Sequence, residues 1–162
     1  MSKSSLFRRI LAPKRIVTVL SGLFGAGLLM GAGFESLARR EARLSFPVQG
    51  RLVDVGGRRL QLDCRGAGSP TVVFEAGLDL LGSLSWAAVH DSVAQTTRAC
   101  AYSRAGIMWS DASKAPFTSN QAAADLHAAL ANAAESGPFV MVAHSLGGPY
   151  AMTFTGLYGP EV

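Results

Sequence analysis

Ile16 to Phe34 (IVTVLSGLFGAGLLMGAGF) is a run of 19 residues without a charged side chain. As a helix rising about 1.5 Å per residue, it matches the roughly 30 Å hydrocarbon core of a bilayer. Lys3, Arg8, Arg9, Lys14 and Arg15 precede it, and Glu35, Arg39, Arg40, Glu41 and Arg43 follow it. The leading flank is purely cationic, so the positive-inside rule puts the amino terminus in the cytoplasm. This predicts a basic cytoplasmic segment over 1–15, a transmembrane signal anchor over 16–34, a polar linker over 35–49 and a domain over 50–162 on the non-cytoplasmic side. A cleaved signal peptide is the alternative, with Ser36-Leu37-Ala38 as its small-x-small site and secretion as its outcome. The apolar run exceeds the roughly 7–15 residues usual for such peptides. A core helix is the third reading.

The chain has 162 residues, enough for one domain, and its 16% charged residues are too few for disorder. The formal net charge of +4 divides unevenly. Residues 1–43 hold eight Lys and Arg against two acids, a net of +6, and residues 44–162 hold seven against nine, a net of −2. The basicity belongs to the membrane flank and gives no reason to expect nucleic acid as a partner. Two cysteines exclude a disulfide-dense scaffold, and no Cys/His spacing fits a zinc site, so no metal is expected.

Beyond the linker, short apolar runs alternate with turns. Arg51–Val55 and Arg58–Cys64 flank Gly56-Gly57, which predicts a hairpin. Leu60, Leu62 and Cys64 alternate with Arg59, Gln61 and Asp63, as on a strand with one buried and one polar face. Thr71–Glu75 (TVVFE) reads as a buried strand. Trp86, Val89 and Val93 predict one face of a helix, and Arg98–Ser103 another strand. Ala105–Phe117 reads as a loop. Thr118 to Gln121 fits a capping box before a helix with Ala122, Leu126, Leu130 and Ala133 on one face. Phe139–Ala143 (FVMVA) is a further strand, and the helix after it stops at Gly159-Pro160. Strand and helix alternate after the hairpin, which predicts an α/β fold of about five strands, mostly parallel, with helices on both faces.

The FVMVA strand runs into Ala143-His-Ser-Leu-Gly147 and then a helix. Such a strand–turn–helix lifts a serine hydroxyl above the sheet, and small residues two before and two after it relieve crowding. Ser145 is therefore the candidate nucleophile. The Leu146 N–H, at the positive end of a helix, is a candidate oxyanion donor. An ordinary serine helix cap is the competing reading.

Four stretches in this order carry a resemblance: Thr71–Leu78 (TVVFEAGL), Leu84-Ser-Trp86, Tyr102–Asp111 (YSRAGIMWSD) and Val142–Gly148 (VAHSLGG). Together they resemble the amino-terminal part of an α/β-hydrolase fold protein, in the serine-nucleophile esterase, lactonase and iminopeptidase-like branch. The resemblance implies the amino-terminal part of that family's sheet, here preceded by the transmembrane helix read above from the apolar run, and a small-molecule ester, thioester, lactone or amide as substrate. It also implies a second oxyanion donor, the Leu78 N–H, and no cofactor. A serine nucleophile argues against the epoxide hydrolase and haloalkane dehalogenase branches, which use Asp. The family's sheet order makes the strands of Cys64 and Cys100 neighbours, so either a disulfide in an exported domain or two small buried thiols is expected.

The chain departs from the pattern in several places. Ser103 stands where relatives carry Asp, Ile107-Met108 replaces a glycine-type pattern, and Asp79-Leu80-Leu81 replaces small residues, which predicts a bulkier entrance loop. The family's catalytic acid and His follow the serine well downstream, whereas this sequence runs 17 residues past Ser145. His144 is expected to point away from its neighbour. His90 and His127 are expected as partly solvated helix residues, and Asp111 and Asp125 as loop and helix-surface carboxylates. Arg104 is read as an ion-pair partner holding its loop in preference to an anion site. The chain alone is thus expected to hydrolyse little, with Phe139–Ala143 as an exposed sheet edge. A non-catalytic, degenerate domain that binds a ligand or partner at the membrane is the alternative, and a natural truncation or gene-model artefact with no independent function a third reading.

Overall fold

The computed structural model describes residues 13–114 and 116–162. The basic segment expected over 1–15 lies largely outside them. The chain divides into two units, one up to Pro47 and one from Val48 to Val162. In the first, helix α1 spans Pro13–Ser45. Among the described residues it is the helix long and apolar enough to cross a membrane, over Ile16–Ala42. The stretch read as the start of a linker is helical through Ser45. Leu37, Ala38, Arg39, Arg40 and Ala42 favour the helix. Glu35 and Arg39, one turn apart, pair at 2.7 Å on its exposed surface.

The second unit is built on a five-stranded sheet in the order β1-β2-β4-β3-β5. Its strands are β1 (Arg51–Asp54), β2 (Arg59–Arg65), β3 (Thr71–Glu75), β4 (Ala99–Ser103) and β5 (Phe139–Ala143). β1 and β2 form the predicted hairpin. Gly56 and Gly57, at φ 98° and 83°, take the two positive-φ positions of its turn. β2 is antiparallel to β4, and β4–β3 and β3–β5 are parallel. Among the described strands β5 stands at the edge, with Val140 43% exposed.

One face of the sheet is covered by α3 (Ser119–Asn132) and α4 (Gly147–Tyr158). Leu126, Leu130 and Phe154 there pack on Leu60, Leu62, Val73 and Tyr102. Thr118 caps α3, its Oγ1 accepting the Gln121 N–H at 3.2 Å. A 3₁₀ turn (Gly82–Trp86) and α2 (Ala87–Ala94) cover the other face. Trp86 stacks on Phe74 at 4.8 Å.

Four expectations change in the second unit. The buried stripe of α2 follows Trp86, His90 and Val93, and Val89 is exposed. His90 is buried because its ring meets the edge of Phe74 and its Nε2 bonds the Ala99 carbonyl at 3.0 Å. The polar face of β2 is buried too: Gln61 donates to the Gln49 carbonyl at 2.8 Å and accepts from Ser103 Oγ at 2.8 Å. Asp125 is likewise buried, held by Arg58 and by Gln121 at 2.8 Å.

Cys64 and Cys100 sit directly opposite each other in the β2–β4 ladder and are joined as a disulfide that closes 36 residues of sequence. A loop of that length restricts the unfolded chain by about 4 kcal/mol in the chain-entropy account. Replacing both cysteines by Ala should lower unfolding stability by about that amount, read by urea denaturation of the oxidised protein against the variant. A loss under about 1 kcal/mol would contradict the assignment.

Candidate active site

The parallel pairing of β3 and β5 sets Glu75 beside Ala143, so the two strands end together. Immediately past these ends the chain turns sharply. Ser145 has φ 53°, in the left-handed region that costs a non-glycine residue roughly 1–2 kcal/mol. The His144 N–H donates to the Glu75 carbonyl at 3.2 Å, which fixes the turn to the end of β3. The Gly147 and Gly148 N–H groups then donate to the His144 and Ser145 carbonyls at 2.9 and 3.0 Å, and α4 begins. Gly147 has to be glycine. A Cβ there would overlap the Glu75 carbonyl and come within 2.8 Å of the Ala76 carbonyl. Gly77 packs less tightly on the other side, where a Cβ would lie 3.2 Å from Ser145 Cβ. The loop holding Leu78 and the turn holding Ser145 and Leu146 are therefore in contact through two glycines.

Arg104, in the loop after β4, holds the first of these loops in shape. Its guanidinium pairs with Glu75 Oε1 and donates to the Ala76 carbonyl at 2.6 Å and to the Gly77 carbonyl. Tyr102 donates its hydroxyl to the other Glu75 oxygen. The Arg104 Cζ also lies 4.9 Å from the Tyr150 ring centroid on α4. Burial pushes the Glu75 carboxyl above its ordinary range, against the pull of Tyr102 and Arg104. Burial pushes the Tyr102 hydroxyl up as well, with the Glu75 charge adding to it. The ion-pair reading of Arg104 is thus favoured over an anion site, since both of its terminal nitrogens donate inside the protein. Glu75, Tyr102 and Tyr150 escaped the sequence reading. A lone carboxylate closing the apolar run TVVFE was the available signal.

The three histidines are placed differently from one another. His90 is bonded under α2, as described. His127 stacks on Tyr158 at 3.9 Å and meets Glu161 at 2.9 Å. His144 is exposed beside the turn. Among the described residues no histidine or carboxylate is hydrogen-bonded to Ser145. Asp111 is a loop carboxylate that accepts the Arg59 N–H at 2.9 Å. The donor atoms of Cys64, Cys100 and Glu135 lie within 4.8 Å of one another, a metal-like spacing. The sulfurs are bonded to each other and Glu135 is held by Arg98 at 2.6 and 2.9 Å, so these residues do not fit a metal.

Two departures from the resemblance have structural consequences. Met108 stands at φ 48° and bears the backbone cost a glycine would avoid. Ser103 is fully buried, accepts the Ser83 N–H at 3.2 Å and bonds Gln61, so a short hydroxyl completes a neutral network there.

No family model matches the chain. A probable transporter, efuK, of Hormonema carpetanum is 32% identical over 109 residues, which cover 64% of this chain and 16% of that protein. Among solved structures, Est816, described as an N-acyl homoserine lactone degrading enzyme, superposes with a TM-score of 0.61 at 24% identity. It covers 68% of this chain, and 41% of Est816 is matched. The epoxide hydrolase CorEH gives a TM-score of 0.59 at 20% identity, over 65% of this chain and 36% of CorEH. The chain thus spans about two fifths of these structures and only 12–16% of the curated relatives it matches.

The buried clamp makes a stability prediction. Arg104→Met leaves the Glu75 charge without its cation and should cost about 3–5 kcal/mol, whereas Arg104→Met with Glu75→Leu should recover most of that loss. Urea unfolding of wild type, both single variants and the double variant measures the coupling. Equal losses in the Arg104→Met single variant and the double variant would contradict the clamp.

Proposed function

We propose, from the α/β-hydrolase fold that the chain shares with these structures, that Ser145 is the nucleophile of a serine hydrolase acting on an ester, thioester, lactone or amide carbonyl. The observation that supports it is the strained Ser145 turn between β5 and α4, pressed through Gly147 against the end of β3. In this reading Ser145 Oγ forms a bond to the carbonyl carbon while its proton passes to a base. Charge moves onto the carbonyl oxygen, where the N–H groups of Leu78 and Leu146 receive it. Collapse of the tetrahedral species expels the leaving group, and water then releases the acyl group from Ser145. The orienting acid and the basic His follow the nucleophile along the chain in this fold, so none of the three histidines here is assigned that part.

Fluorophosphonate labelling tests the nucleophile, because the reagent forms an Oγ–phosphorus bond and loses fluoride. Loss of triad members lowers rates by on the order of 10⁴–10⁶. Labelling of this chain at pH 7 should therefore be close to that of Ser145→Ala. Between pH 8 and 10 it should rise about tenfold per pH unit, as hydroxide takes the proton in place of a side chain, with Ser145 as the modified residue. A plateau starting near the ordinary His range of about 6.5 would show that a local histidine acts as base. Modification that survives Ser145→Ala, or none at any pH, would remove the assignment.

We also propose that α1 anchors the protein in a membrane, with the second unit on the non-cytoplasmic side. The length of the apolar helix, its cationic leading flank and the Cys64–Cys100 bridge support this, since disulfides persist in oxidising compartments. After carbonate extraction the intact chain should stay with the membrane pellet. Release at full length contradicts the anchor, and release of a form shortened to near Ala38 points to the cleaved signal peptide.

A further inference from the structure

Next to the candidate oxyanion loop lies a cavity of about 380 Å³, within the size range of small-molecule sites. Leu78, Leu80, Ile107, Phe117 and Tyr150 form its apolar wall. The Phe117 and Tyr150 rings meet edge to face at 5.7 Å, which closes one side. Arg104 and Asp79 also reach the cavity, and both are engaged elsewhere. Arg104 is bonded to Glu75 and to the carbonyls of Ala76 and Gly77. Asp79 accepts the Leu81 and Gly82 N–H groups at 2.9 and 3.0 Å. A ligand entering here meets hydrocarbon and charges that already have partners.

We propose that this cavity is an acyl subsite for an unbranched aliphatic chain, and that Leu80, Ile107 and Phe117 set the chain length it accepts. The inference rests on Ser145 as nucleophile. Leu78 links the two, because it lines the cavity and carries the candidate N–H donor, and the adjacent Gly77 packs on Ser145. In this proposal a carbonyl held at that N–H directs its acyl substituent toward the cavity that Leu78 lines. Leu80 and Ile107 fall where the chain departs from its resemblance, so the subsite belongs to this chain's own sequence. The engaged charges disfavour an acyl group ending in a carboxylate or an amine, since neither would find a free counter-charge.

The test separates the cavity from the nucleophile. In the full chain carrying Ser145→Ala, neutral 2-alkanones from 2-pentanone to 2-undecanone are titrated by calorimetry. Affinity should rise about fourfold per added methylene until the cavity is full, and then level off. Leu80→Ser alters a side chain that is 79% exposed, so the fold is not at stake. It should weaken the long ketones at least threefold and leave 2-pentanone unchanged, and Ile107→Phe should move the levelling point to shorter chains. No dependence on chain length, or a dependence that ignores both substitutions, overturns the proposal. In the chain with Ser145 intact, p-nitrophenyl octylphosphonate and its ethyl counterpart are compared at pH 9.5. Each forms an Oγ–phosphorus bond and releases p-nitrophenolate, with the serine proton going to hydroxide. The octyl reagent should react at least tenfold faster. Normal ketone binding with equal phosphonate rates shows that the cavity does not serve Ser145, which overturns the acyl assignment. Normal ketone binding with no phosphonylation of Ser145 overturns the nucleophile reading and the acyl assignment together.

Discussion

The Glu75 carboxylate is buried at the end of β3, where an uncompensated charge would be costly. Arg104 and Tyr102 supply its partners, and the same guanidinium continues to the carbonyls of Ala76 and Gly77. A buried ion pair adds little net stability against a hydrophobic replacement, but it fixes geometry when every donor and acceptor is used. Here it fixes a backbone that would otherwise be a loose glycine-containing loop. The Ser145 turn is built against that backbone, with His144 bonded to the Glu75 carbonyl and Gly147 closed down on it. The strained serine is thus supported from one side by the sheet and from the other by the clamped loop.

Most of the fold was legible because each element carried its own signal. The apolar runs TVVFE and FVMVA, the Gly56-Gly57 turn and the Thr118 cap each mark an element that the structure contains. Misread positions were those where long-range polar contacts override a local pattern. Gln61 and Asp125 look like surface residues in a periodic reading, yet Ser103, Gln49 and Arg58 reach them from distant parts of the chain. His90 hid for the same reason, since only the packed sheet shows Phe74 and the Ala99 carbonyl beneath it. Charge at Glu35 marks the end of the apolar run but not of α1, which continues because Glu35 and Arg39 are spaced to support it.

The candidate site was legible in part. Spacing picked out Ser145 and its small neighbours, because a strained turn leaves a mark in local sequence. The support for that turn did not, because Glu75, the Tyr102–Arg104 stretch and Tyr150 lie on three separate segments that only the fold brings together. Departures from the resemblance also sort into physical kinds. Ser103 is accommodated by a rebuilt hydrogen-bond network, Met108 is tolerated at a backbone cost, and Leu80 adds hydrocarbon at the rim of the apolar cavity.

The central claim is that the clamped loop and the serine turn together present two N–H groups to one oxygen. The most direct measurement is a crystal structure of the protein phosphonylated on Ser145 at high pH. The account predicts the phosphoryl oxygen within about 2.7–3.1 Å of both the Leu78 and the Leu146 nitrogens, with the Arg104–Glu75 pair intact. A phosphoryl oxygen turned toward solvent, bonded to neither nitrogen, would contradict it.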